Sequence, residues 1–141
     1  MPARYSIRCA MALAALLALA STGTAGAAPT KSATARTSFT VGSDGRCYAV
    51  STATWSGYQV NRVRHIFYLE GHSGEDAAWL STTVLPNGVS KNSGSMTSVS
   101  GVAAAPGEGW YVHDLFRSNG GAILAEATSA VAHAPADCPL P

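Results

Sequence analysis

The chain has 141 residues, room for one domain of ordinary size and too little for two. Nine Lys and Arg against eight Asp and Glu give a formal charge of +1, which excludes a strongly basic nucleic-acid binder and an acidic tail. The apolar fraction of 47% is inflated by 26 alanines, 10 of them within the first 28 positions.

Residues Met1 to Ala27 read as a secretory signal. Arg4 and Arg8 open it, Met11 to Ala20 (MALAALLALA) is an unbroken apolar run, and Ala25-Gly26-Ala27 offers the small residues a signal peptidase needs. Ten apolar residues make a helix of roughly 15 Å, about half a bilayer core, so a retained membrane anchor is not expected. Cys9 precedes the apolar run, whereas a lipoprotein acceptor follows it. From Ala28 onward the charge becomes −1, and the expected product is a free extracellular protein without a membrane partner. The Ala, Gly and Arg bias suits a GC-rich bacterial genome.

Beyond the leader, two cysteines remain, Cys47 and Cys138. In an oxidising compartment an even pair reads as one disulfide. Its loop of about 92 residues is worth roughly 4 to 5 kcal/mol in the chain-entropy model. Such a staple matters, because only 21 of the 114 residues from Ala28 on are Leu, Ile, Val or Phe. Trp55, Trp79 and Trp110 either supply the missing core or stand exposed as a platform for a sugar ring or a protein.

Along the mature chain, residues 28–38 (APTKSATARTS) are small and polar and read as a flexible arm, so the domain is expected over 39–141. Phe39 to Val41 starts a short first strand, ended by Gly42-Ser43-Asp44-Gly45. Cys47 to Trp55 (CYAVSTATW) alternates and is broken by Ser56-Gly57. Arg62 to Leu69 (RVRHIFYL) alternates most clearly, with Val63, His65, Phe67 and Leu69 against Arg62, Arg64, Ile66 and Tyr68. Glu70 to Asp76 is a turn cluster. Ala77 to Leu85 is the next strand, stopped by Pro86-Asn87-Gly88. Ser95 to Val102 is a weaker strand, and Pro106-Gly107 marks a loop. Trp110 to Phe116 and Ala122 to Val131 flank Asn119-Gly120-Gly121 as a closing hairpin, although the Ala-rich second run also suits a helix.

Seven short strands separated by turns point to an all-β, single-domain, two-sheet antiparallel sandwich with one disulfide. Six strands running up and down from Cys47 bring the chain after Val131 back to the Cys47 end, within reach of Cys138. With Trp55 closing an early strand and Tyr111 in the penultimate one, residues 39–131 resemble an immunoglobulin-like or fibronectin-III-like sandwich. The resemblance lies at the level of the fold; antibody-type domains bridge their sheets from mid-strand cysteines, whereas Cys47 and Cys138 tie strand ends.

Chemistry is sparse. His65 alternates with apolar neighbours and reads as a half-buried sheet residue, His113 and Asp114 point to opposite faces as strand neighbours must, and His133 lies in a solvated tail. Gly71-His72-Ser73-Gly74 is similar to the surroundings of a hydrolytic serine, but the full elbow needs Gly where Glu75 stands and a strand-to-helix step. His72, Glu75 and Asp76 form an incomplete ligand set in a loop, so no metal and no other cofactor is expected. Arg62 and Arg64 share a face and read as a solvated edge. The expectation is therefore a secreted, non-catalytic binding or inhibitory module acting on an extracellular protein or a cell-wall glycan. Its candidate contacts are Tyr58, Asn87, Lys91, Arg117 and Asn119, in loops at the end opposite the disulfide. Two alternatives stand beside it: a small serine hydrolase using Ser73, and a structural surface protein with no discrete ligand.

Overall fold

A computed structural model describes residues 30–141, so the expected signal segment lies outside the described residues. Seven main strands form two antiparallel sheets: β1 (Ser32–Val41), β2 (Cys47–Val60), β3 (Arg62–Leu69), β4 (Trp79–Val84), β5 (Lys91–Ala103), β6 (Gly109–Arg117) and β7 (Ile123–Thr128). An eighth of two residues, β8 (Ala132–His133), pairs with the start of β6. The first sheet has the order β1-β2-β5 and the second β4-β3-β6-β7. The Ala-rich run after Ala122 is strand and not helix.

Two expected boundaries move. Residues 32–38, read as part of a flexible arm, are most of β1, paired with β2 from Ser32 opposite Ser56 to Val41 opposite Cys47. Ala33, Ala35, Thr37 and Phe39 turn inward and Thr34, Arg36 and Ser38 outward, a real alternation hidden because its inward members are small. The second change is at Ser56-Gly57, which does not end β2. Gly57 takes φ +82, and the register against β5 slips between Ser56 and Val60, so the strand absorbs the break as a bulge. A Cβ at Gly57 would also meet Lys31 at 2.9 Å.

The core falls into two apolar clusters, each built around one buried tryptophan. At one pole Cys47, Ala49, Phe67, Trp110, Val112 and Cys138 pack together; at the other Ala53, Trp55, Val60, Val63, Leu85 and Phe116 do so. Trp55 and Trp110 are only 2% and 1% exposed, so they are core and not platform. Trp79 is 40% exposed and lies over Gly101, where a Cβ would meet its ring at 2.4 Å. It thereby covers the seam between edge strands β4 and β5.

Cys47 and Cys138 are bridged with their Cα atoms 5.7 Å apart, at the pole where β2 begins and the C-terminal tail returns. The up-and-down path delivers the tail there, as the strand count requires. A disulfide of this kind is compatible with an oxidising, extracellular setting.

Candidate functional site

At the pole opposite the disulfide the chain passes from β2 to β3 through a single residue, Asn61. It is 1% exposed and fully engaged. Its N–H donates to Arg117 O (2.9 Å) and its carbonyl accepts from Leu85 N–H (2.9 Å). Its side-chain Nδ2 donates to Gly88 O (2.9 Å), and Oδ1 accepts from Arg62 Nε (3.2 Å). Arg62 Nη2 in turn donates to Asn119 O at 3.3 Å. One buried amide therefore ties the β4–β5 turn and the end of β6 to the β2–β3 crossing, and Arg62 adds the β6–β7 turn.

Of the five contacts expected at this pole, Asn87 and Asn119 lie in turns and are exposed, Asn87 at φ +61. The others stand on strands. Tyr58 is on the bulged end of β2, packed against the Trp55 cluster with Lys31 Nζ 5.5 Å from its ring centre. Lys91 begins β5, its side chain exposed while its carbonyl accepts from Trp55 Nε1 at 2.9 Å. Arg117 ends β6 directly opposite Arg62.

That last pairing changes the reading of Arg62 and Arg64 as a solvated edge. Arg62 and Arg64 project from the outer face of the second sheet, and the register sets Arg117 beside Arg62. The three arginines, with Leu80, Ser81 and Thr82 of β4, line a shallow hollow of about 340 Å³. Among the described residues neither ion pair involves an arginine. Arg117 Nε is shielded from solvent and makes no hydrogen bond. The grouping was missed because Arg117 is 53 positions from Arg64 in sequence, and only strand register joins them.

Between the two apolar clusters runs a polar layer, also missed. His65, expected half-buried, is fully buried, as are Ser51 and Asp114. His65 Nδ1 lies 2.9 Å from Asp114 Oδ1 and 2.9 Å from Ser51 Oγ, and the Ser51 hydroxyl donates to Asp114 Oδ2 at 2.8 Å. His65 Nε2 meets Thr83 Oγ1 at 2.8 Å. The residue types are those of a serine-hydrolase triad, but the wiring differs. In a triad one ring nitrogen faces the carboxylate and the other the serine. Here Nδ1 faces both, Nε2 is taken by Thr83, and no surface leads to the hydroxyl. The network joins β2 of one sheet to β3, β4 and β6 of the other and is structural.

Ser73 lies in an exposed turn before the 3-10 segment Gly74–Asp76. Among the described residues its hydroxyl has no histidine partner. The same turn is held over the outer face by the stacked pair Tyr68 and Tyr111, ring centres 5.1 Å apart, whose hydroxyls donate to Gly74 O and His72 O. His113 and Asp114 do point to opposite faces of β6, and His133 is exposed. Near the disulfide, Tyr48 donates its hydroxyl to Asp44. That bond holds the Asp44 carboxyl below the usual carboxylate range, aided by Arg46 N–H, and raises the Tyr48 hydroxyl. No group of three or more His, Cys, Asp or Glu among the described residues could hold a metal ion.

No family model, curated protein or solved structure matches this chain. The functional reading therefore rests on the geometry of its surfaces.

Proposed function

We propose that this protein is a secreted, non-catalytic binding or inhibitory module that grips an extracellular protein or a cell-wall glycan with the pole opposite its disulfide. The observation that carries the reading is the engagement of Asn61. A pole whose turns are tied to one buried residue is ordered before any ligand arrives, which reduces the entropy lost on binding. Turns on a rigid scaffold are also where binding residues concentrate. The three-over-four sandwich, with β1-β2-β5 facing β4-β3-β6-β7, supports an immunoglobulin-like or fibronectin-III-like scaffold. The expected leader and the bridge support secretion.

Lys91→Ala combined with Asn119→Ala tests the reading, since both side chains are exposed and the carbonyls they leave behind keep their hydrogen bonds. Binding is measured by surface plasmon resonance against purified cell-wall polysaccharide and a set of secreted proteases. A wild-type response that falls at least tenfold in the double variant, at unchanged melting temperature, supports the reading. No response from any of these surfaces, or an unaltered affinity, overturns it.

A further inference from the structure

The near-neutral composition conceals an uneven distribution of charge between the two poles. The strands alternate in direction, so residues near strand ends collect at one pole or the other. Of the seven lysines and arginines among the described residues, five (Lys31, Arg62, Arg64, Lys91 and Arg117) fall at or beside the pole opposite the disulfide, while Arg36 lies midway along β1 and Arg46 adjoins Cys47. The carboxylates go the other way. Glu70, Glu75 and Asp76 follow β3, Glu108 precedes β6, Asp44 precedes β2, and Asp137 adjoins Cys138. Of the remaining two, Asp114 is buried in the polar layer, and Glu126 on β7 lies opposite Leu115 and 3.7 Å from His113.

Within the cationic pole, Arg62 and Arg117 are directly cross-strand, an arrangement of like charges that costs stability in the free protein. Arg64 stands one alternation further along the same face, and all three side chains border one hollow. The guanidinium of Arg62 is partly occupied by Asn61 and Asn119, which fixes its direction. Arg64 makes no hydrogen bond to the protein among the described residues, and Arg117 Nε has none either. Three positive charges, with donors to spare and no carboxylate within ion-pair distance among the described residues, match an anion carrying more than one charge and several acceptor oxygens. A single carboxylate would neutralise one arginine and leave two opposed. Guanidinium forks are suited to bidentate contact with such oxygens.

We propose that the hollow between Arg62, Arg64 and Arg117 is an oxyanion site for a tetrahedral phosphate or sulfate group. This inference rests on the cationic pole being the binding surface and specifies the chemistry it recognises. The group comes either from the free ion or from a phosphate- or sulfate-bearing extracellular polymer. Lys31 and Lys91, at the same pole, steer either one toward the hollow.

The test is calorimetric titration of the full folded domain with inorganic phosphate and with sulfate, each at an ionic strength matched by sodium chloride. Wild type is expected to bind either ion saturably where chloride has no effect. Arg64→Gln, which breaks no hydrogen bond within the protein, should weaken that binding about tenfold or more. Its melting temperature should stay level or rise as repulsion is relieved. Arg117→Gln should show the same loss, and the Arg side-chain N–H resonances of wild type should shift on titration. Absence of saturable binding, equal responses to chloride, or an Arg64→Gln variant that binds like wild type would each overturn the proposal. Repeating the titration with a glycerol-phosphate polymer distinguishes the sources: affinity per phosphate far above that of the free ion identifies the polymer, and equal affinity the ion. Loss of glycan or protease binding in the Lys91/Asn119 variant, with no oxyanion bound by wild type, defeats this inference and leaves the broader reading standing; the converse result does the reverse.

Discussion

Replacing His65 by Leu fills much of the ring's volume with apolar atoms and leaves the carboxylate of Asp114 with Ser51 as its remaining side-chain partner. The carboxylate cannot rotate into water, because its side chain has no solvent exposure in the folded state. Removing one member of such a buried pair costs about 3–5 kcal/mol. Against a total of about 5–15 kcal/mol for a typical domain, that is a large share of the stability. At roughly 4 °C per kcal/mol for a domain of this size, the melting temperature should fall by about 12–20 °C. Replacing both His65 and Asp114 by Leu removes the stranded charge with its partner. The double variant should then lose distinctly less than the two single variants added together, with a coupling of about 2 kcal/mol or more. Urea unfolding followed by tryptophan fluorescence and by far-ultraviolet circular dichroism measures all three. A His65→Leu cost below about 1 kcal/mol, or strict additivity, would show that the Ser51–His65–Asp114 layer does not join the sheets as described.

Replacing both bridging cysteines by Ser should cost about 4–5 kcal/mol, because the bridge closes a loop spanning 91 positions, and chemical denaturation of wild type and variant gives the difference. A Cβ at Gly94 would meet the buried Trp55 ring at 2.8 Å, so Gly94→Ala should cost about 1–3 kcal/mol by overpacking. Gly101→Ala meets Trp79 even closer, yet that ring is partly exposed and can swing away, so the loss should be smaller and the Trp79 emission should shift to the red. Tyr48→Phe should let the Asp44 carboxyl titrate nearer its ordinary range, as read by carbon-13 shifts across a pH series. Since Asp44 is depressed in the folded state, its favourable contribution holds above the unfolded value and is lost as pH falls through the folded one. The variant should therefore show less acid destabilisation over that window.

The strand pattern was legible wherever large inward residues alternated with polar ones, as in Arg62 to Leu69 and Trp110 to Phe116. It failed where the inward residues were small. Ala33, Ala35 and Thr37 carry too little hydrophobic contrast to be told from a flexible arm, and only their pairing with β2 makes them a strand. Gly57 reads locally as a stop, because a local reading cannot see that β5 accommodates a slipped register on one side of it. The disulfide was legible through topology: an even number of crossings returns the tail to Cys47, whatever the residues in between.

The polar layer and the arginine face were hidden for one shared reason. His65 and Asp114 are 49 positions apart, and each was judged against its own neighbours in sequence. The same alternation that turns His113 outward turns Asp114 inward, to the residue that register places opposite it, His65. The same antiparallel register that joins His65 to Asp114 joins Arg62 to Arg117 three residues further along each strand, on the opposite face of the sheet. Inside, low access to water makes the pairing one of full hydrogen bonding, since a polar group left without a partner there is costly. Outside, water screens two like charges enough for them to persist, and among the described residues no carboxylate forms an ion pair with them. A single ladder of β3 on β6 therefore carries the hydrogen-bonded polar groups of the core and the uncompensated charges of the surface. The charge of the second set is tolerated by folding with no anionic partner of its own, which is the physical ground for looking to an external anion.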